Sequence, residues 1–152
     1  MTASSRMIFV NLPVSDLARS RRFVEALGAV NDPRFSGDSA ACMTFADNIH
    51  VMLLTHEHFS QFSPRPVADA NAATEVLLCL SADSRGNVDA AVERGVASGG
   101  TADPAPKQDY GVMYGRSIAD PDGHIWEVMW MDSAAAEQGA GAIAEAVAAQ
   151  NA

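Results

Sequence analysis

The chain repeats itself, and that limits its fold more than any other feature. Residues 45–54, FADNIHVMLL, and 118–128, IADPDGHIWEV, share an apolar-Ala-Asp start, a turn and a His that opens a final strand. Such internal similarity points to two copies of one supersecondary unit. Sliding one half on the other sets Phe9 against Leu77, Asp16 against Ser84, His50 against His124 and Leu53 against Glu127. The last pair puts a carboxylate where the other copy has a hydrocarbon. Burying such a group costs several kcal/mol unless an ion or hydrogen-bond donors replace its water, so Glu127 either faces solvent or serves something.

Local patterns define the unit. In MIFVNLPV (7–14), Ile8, Val10, Leu12 and Val14 alternate with Met7, Phe9, Asn11 and Pro13, the period of a strand. Asp16 is an N-cap for a helix carrying Leu17, Phe23, Val24 and Leu27, which Gly28 stops. Three β-type runs follow, AVNDPRF, AACMTF and IHVMLLT, divided by turn residues. The second half repeats the order. Val76, Leu78, Leu80 and Ala82 alternate in a strand, Ser84 caps RGNVDAAVERGVASGG, and TADPAPK, VMYGRSI and HIWEVMW are the remaining strands. The chain therefore divides into a βαβββ module at 7–55, a polar, Pro-containing connection at 56–73, a second βαβββ module at 74–131 and an Ala-rich helical tail at 132–152, whose weak apolar stripe is Ile143 and Val147. The fold class is α+β.

Nineteen acidic against ten basic residues give a net charge of −9 over 152 residues, the wrong sign for a nucleic-acid backbone or an anionic membrane. The apolar run near the N-terminus ends at Pro13, too short for a signal peptide or a span. Cys42 and Cys79 each sit in a strand-like run without CxxC spacing, and both read as reduced, buried thiols of a cytoplasmic protein.

FVNLPVSDLARSRRFVEALG, GVASGGTA and DPDGHIWEV together resemble the opening strand and helix, the second helix closure and the final hairpin of the vicinal oxygen chelate superfamily, the glyoxalase and bleomycin-resistance group. The wording is similar to a subgroup labelled predicted lactoylglutathione lyases. That resemblance implies that the two modules build a curled mixed sheet with outer helices and a concave cavity. It also implies that metal-dependent members hold their ion with one residue from each of four strands. The matching positions here are Phe9, Leu53, Leu77 and Glu127, and only Glu127 can bind a metal. A register shift of two would bring Asn11 and Glu75 inward instead.

Alternation gives the expected cavity lining. Phe9 and Asn11 on the first strand, Leu77 and Cys79 on the fifth, and Glu127 with Ile125 and Met129 on the last face inward, while Trp126, Val128 and Trp130 take the other face. Tyr114 and Arg116 share one face of the seventh strand, at the pocket or its rim, and Arg116 is a possible partner for Glu127. His50 and His124 fall on the helix-packed face as structural histidines, His56 and His58 in a solvated loop, and DPDG is a turn.

Three functional readings follow, the last of them a metal-free enzyme in which Glu127 alone shuttles a proton. The first is a binding or sequestering protein for an unidentified small molecule, a homodimer needing no metal or cofactor, whose apolar pocket of Phe9, Leu53, Leu77 and Met129 is tuned by Asn11, Arg116 and Glu127. The second is a glyoxalase I-like lyase that isomerises a hemithioacetal with Glu127 as catalytic base and a metal polarising the substrate.

Overall fold

The computed structural model describes residues 5–152. Its first half runs β1 (Ile8–Val14), α1 (Leu17–Ala26), β2 (Val30–Asp32), a 3-10 turn at Pro33–Phe35, β3 (Ala40–Ala46) and β4 (Ile49–Thr55). A short helix α2 (His56–Ser60) begins the connection, so His56 and His58 lie on a helix and not in a loop, with the Thr55 hydroxyl accepting the His58 N–H at 3.3 Å. The second half runs β5 (Leu77–Ser81), α3 (Arg85–Ala97), β6 (Thr101–Ala102), β7 (Gln108–Asp109), β8 (Met113–Ala119) and β9 (Ile125–Met131). Helices α4 (Ser133–Gln138) and α5 (Ala140–Gln150) form the tail.

Each half makes its own mixed sheet, ordered β1-β4-β3-β2 and β5-β9-β8-β6, with β7 also on β8. In both sheets the first strand pairs in parallel with the last of its module, and the other pairings are antiparallel. The caps act as expected: the Asp16 carboxylate accepts from Arg19 N–H and the Ser84 hydroxyl from Asn87 N–H, both at 3.0 Å. Of the expected strand at 101–107 only Thr101–Ala102 pairs, and β7 begins just beyond it, because Pro104 and Pro106 have no N–H for the ladder and Asp103 adopts a φ of +54°.

The helix-facing sides of the two sheets close on one core. Leu12, Val14, Val51 and Leu53 from the first sheet meet Phe23 and Val24 of α1, Val92 of α3, and Ile118 and Trp126 of the second sheet. Trp126, 1% exposed, has its ring 6.5 Å from that of Phe23 and 5.9 Å from that of Phe45. Full burial of side chains this large contributes roughly 2–3 kcal/mol each, so the shared core holds the halves together.

The DPDG turn locks the same junction. Asp122 accepts the Ser15 N–H at 2.9 Å, the Ser15 hydroxyl at 2.6 Å and the Ser20 hydroxyl at 3.1 Å. His124 Nε2 donates to the Pro13 carbonyl at 2.8 Å. The turn also needs its glycine: Gly123 has a φ of +93°, and a Cβ there would stand 2.8 Å from the Asn71 backbone nitrogen. Among the described residues no helix is long and apolar enough to cross a membrane.

Candidate ligand-binding face

Pairing, more than local alternation, decides which residues face outward from the shared core. Phe9 lies opposite His50, Asn11 opposite Met52 and Leu12 opposite Leu53. In the second sheet Leu77 lies opposite Ile125, Cys79 opposite Glu127 and Ser81 opposite Met129. Side chains of paired residues point to the same side, so one face carries Phe9, Asn11, His50 and Met52, and the equivalent face carries Leu77, Cys79, Ile125, Glu127 and Met129.

Two expected lining residues, Leu53 and Tyr114, are elsewhere, and Arg116 borders the Glu127 cleft while its guanidinium turns away. Leu53 is 0% exposed and sits in the core beside Leu12 and Val14. The repeat alignment equated His50 with His124, but pairing against the leading strand puts His50 at the position of Ile125. The structural counterpart of Glu127 is therefore Met52. A one-residue slip turns every side chain of a strand to its other face, and that moves Leu53 inward to the core and His50 outward. His50 stacks on Phe9, centroids 4.7 Å apart, with Nδ1 3.0 Å from the Thr44 hydroxyl.

Tyr114 and Arg116 also point to the helix side. The Tyr114 hydroxyl donates to Asp89 of α3 at 2.7 Å, and the Arg116 guanidinium is held by Asp89 at 2.9 Å and by both oxygens of Asp103 at 3.0 and 2.7 Å. The Arg116 hydrogen bond holds the Asp103 carboxyl below its ordinary range. With both charges satisfied, Arg116 is not the partner of Glu127. No ion pair among the described residues includes Glu127, which is half-buried.

The expected single pocket is two cavities. Cys79, Glu127 and Met129 share a cleft of about 130 Å³ with Gly115, Arg116 and Ser117 of β8. One wall is the segment after β6, stitched to β8 where Ala105 N–H donates to the Ser117 hydroxyl at 3.1 Å and Asp103 N–H to the Ser117 carbonyl at 2.9 Å. Ser117, paired with Glu127, went unforeseen because its place on the sheet depends on the β8–β9 register. Asn11 opens instead into a cavity of about 270 Å³ under the connecting segment, with Glu75 and Val76. Phe9 and Leu77 remain 47% and 54% exposed on their faces.

Cys42 is buried as expected, but Cys79 is exposed, because its side of β5 has no helix over it. Partial burial of the sulfur, and then the neighbouring Glu127 carboxylate, push the Cys79 thiol above its ordinary value. Thiol and carboxyl side by side give the cleft hydrogen-bonding groups for a polar ligand atom. As a chelating site the face fails on its donors. Its four candidate ligand positions are Phe9, Met52, Leu77 and Glu127: two hydrocarbons, a soft thioether and one carboxylate. No three His, Cys, Asp or Glu side chains converge among the described residues.

Comparison with known proteins matches this architecture. A hypothetical protein of S. aureus is 27% identical, with a TM-score of 0.68 over 85% of this chain and 95% of its own. A glyoxalase-related enzyme from Fulvimarina pelagi is 22% identical, with a TM-score of 0.68 over 84% of this chain and 88% of its own. A lactoylglutathione lyase from Agrobacterium tumefaciens is 20% identical, with a TM-score of 0.60 over 85% and 96%. No match was found among curated proteins. The family model for the Glyoxalase/Bleomycin resistance protein/Dioxygenase superfamily matches residues 6–128, the whole of both sheets up to Val128, and the chain belongs to that superfamily.

Proposed function

We propose that this protein binds a small molecule beside Glu127 without a metal, as a homodimer in the reducing setting of the cytoplasm. The donor set carries the reading. An ion held by Glu127 alone would keep most of its ligands as water, because the carbon side chains of Phe9 and Leu77 offer nothing and Met52 offers only sulfur. What remains suits an uncharged or weakly polar ligand: apolar walls of Pro106 and Met129 with Glu127, Cys79 and Ser117 as convergent polar groups. Support for a dimer is the half-exposed Phe9 and Leu77, apolar surface that a second copy would cover. Free Cys42 and Cys79 fit a reducing compartment.

The rival reading, a lyase that isomerises a hemithioacetal with Glu127 as base, needs a Lewis acid, for which these positions supply one carboxylate and a soft thioether. Metal analysis of the purified protein, with native mass spectrometry for a co-purified ligand, separates the two. The binding reading expects far less than one metal per chain and a ligand whose retention survives a chelator and is lost in Glu127→Gln. One nickel or zinc per chain, with turnover of the methylglyoxal–glutathione adduct, would overturn it.

A further inference from the structure

A second cavity lies apart from Glu127, where the connecting segment crosses the junction of the two sheets. Its floor is Pro13 of β1 and Ile125 of β9, and its cover is Phe59 of α2 with Ala70 and Ala73 of the connection. About 270 Å³ is at the small end of ligand sites. The cover is fastened, since Asn71 Nδ2 donates to the Asp122 carbonyl at 3.1 Å and its own N–H to the Asp69 carboxylate at 2.9 Å.

Carboxylates outnumber cations around this cavity. Glu75 is at its edge, and an adjoining cleft that shares Pro13, Ala68, Ala70 and His124 is lined by Asp69 and Asp122, with no Lys or Arg in either lining. Asp69 and Asp122 are engaged by Asn71, Ser15 and Ser20, and Asp122 also by the Arg19 guanidinium at 4.0 Å. Glu75 takes part in no ion pair among the described residues. The Asn11 amide and Thr74 hydroxyl supply further oxygens, and the Phe59 ring can face a cation.

We propose that this cavity takes a small organic cation, an ammonium on a short aromatic or branched body, with the charge at Glu75 and the body between Phe59, Ala70 and Ile125. The site is independent of the one proposed at Glu127. An anion of the same shape would meet Glu75 in the cavity and Asp69 and Asp122 in the adjoining cleft, so discrimination comes from repulsion as well as attraction. Glu75 is exposed, so solvent screening limits the preference to about tenfold.

The test is titration calorimetry with 2-phenylethylamine, 2-phenylethanol and 3-phenylpropionate, backed by amide chemical shifts to locate binding. The expected result is one amine per chain, bound about tenfold more tightly than the alcohol, with no binding of the carboxylate and with shifts at Phe59, Ala70 and Thr74. Glu75→Gln should bring the amine down to the level of the alcohol, and Ala70→Phe, which fills the space, should abolish both. Equal binding of amine and carboxylate, an amine preference that survives Glu75→Gln, or shifts confined to Cys79 and Met129 would overturn the proposal. So would conversion of a dimer to a monomer by Ala70→Phe in sedimentation, which would show that a second copy occupies the cavity.

Discussion

Replacing Asp122 by Ala should loosen the junction between the two sheets by an amount the structure allows to be worked out. Three hydrogen bonds are lost. The Ser20 hydroxyl is the costly one: Ser20 is 2% exposed, and without Asp122 its polar group is left buried with no partner from the other half, a loss of about 1–3 kcal/mol. The two bonds from Ser15 are exposed, so water replaces them, and together they add about 1 kcal/mol. A total near 2–4 kcal/mol corresponds to a fall in Tm of about 5–12 °C for a chain of this length. Urea unfolding followed by circular dichroism measures it, with the slope unchanged if the native state keeps its compactness.

The same variant has a pH signature. Burial pushes the Asp122 carboxyl up, but the Ser15 hydroxyl and N–H, the Ser20 hydroxyl and the nearby Arg19 outweigh it and hold the group below its ordinary 3.8. A carboxyl lowered in the folded state contributes stability that is complete above 3.8 and is lost as pH falls through the folded value. The gap between the parent protein and Asp122→Ala should therefore be constant from pH 7 to 5 and narrow below pH 3.8. A loss under about 0.5 kcal/mol, or a gap that does not change with acid, would refute the argument that charged hydrogen bonds fasten the halves.

Three further outcomes are expected. Gly123→Ala should destabilise by about 1–3 kcal/mol in a thermal melt, since the new Cβ would stand 2.7 Å from the Asn71 side-chain carbon at a φ of +93°; partial rescue by Asn71→Ala would assign the clash. Glu127→Gln should raise the rate of Cys79 alkylation by iodoacetamide at pH 7.5 a few-fold, because removing the adjacent negative charge lowers the thiol pKa; an unchanged rate would show that the two groups do not interact. Leu53→Ala should cost about 2–5 kcal/mol as a core cavity, whereas Leu77→Ala should cost well under 1 kcal/mol because Leu77 is 54% exposed; similar costs would contradict the assigned faces.

Much of the site was legible one strand at a time. The alternation of Val10, Leu12 and Val14 against Phe9 and Asn11 identifies the core side of β1, and Ile125, Glu127 and Met129 fall together on the opposite side from Trp126 and Val128 by the same rule. Asp16 and Ser84 announce their helices, because a cap is a contact between residues three apart. The poverty of donors around Glu127 was also visible, since either Leu53 or Met52 as the fourth member leaves only one carboxylate.

What the sequence could not decide were the relations between strands distant in the chain. Similar wording around His50 and His124 suggested one alignment, but pairing of β4 with β1 adopted another, and that single step put Leu53 in the core and Met52 opposite Asn11. Its place on the preceding strand made Arg116 a candidate partner for Glu127, yet its charge is met by Asp89 from a helix and Asp103 from a loop. The division of one expected pocket into two follows from where the connecting segment lies, fastened by Asn71 to a turn 51 residues away. Period and capping are energies of neighbours, readable from a short stretch. Face, charge partner and enclosure are settled only when remote segments compete for the same hydrogen bonds and the same core.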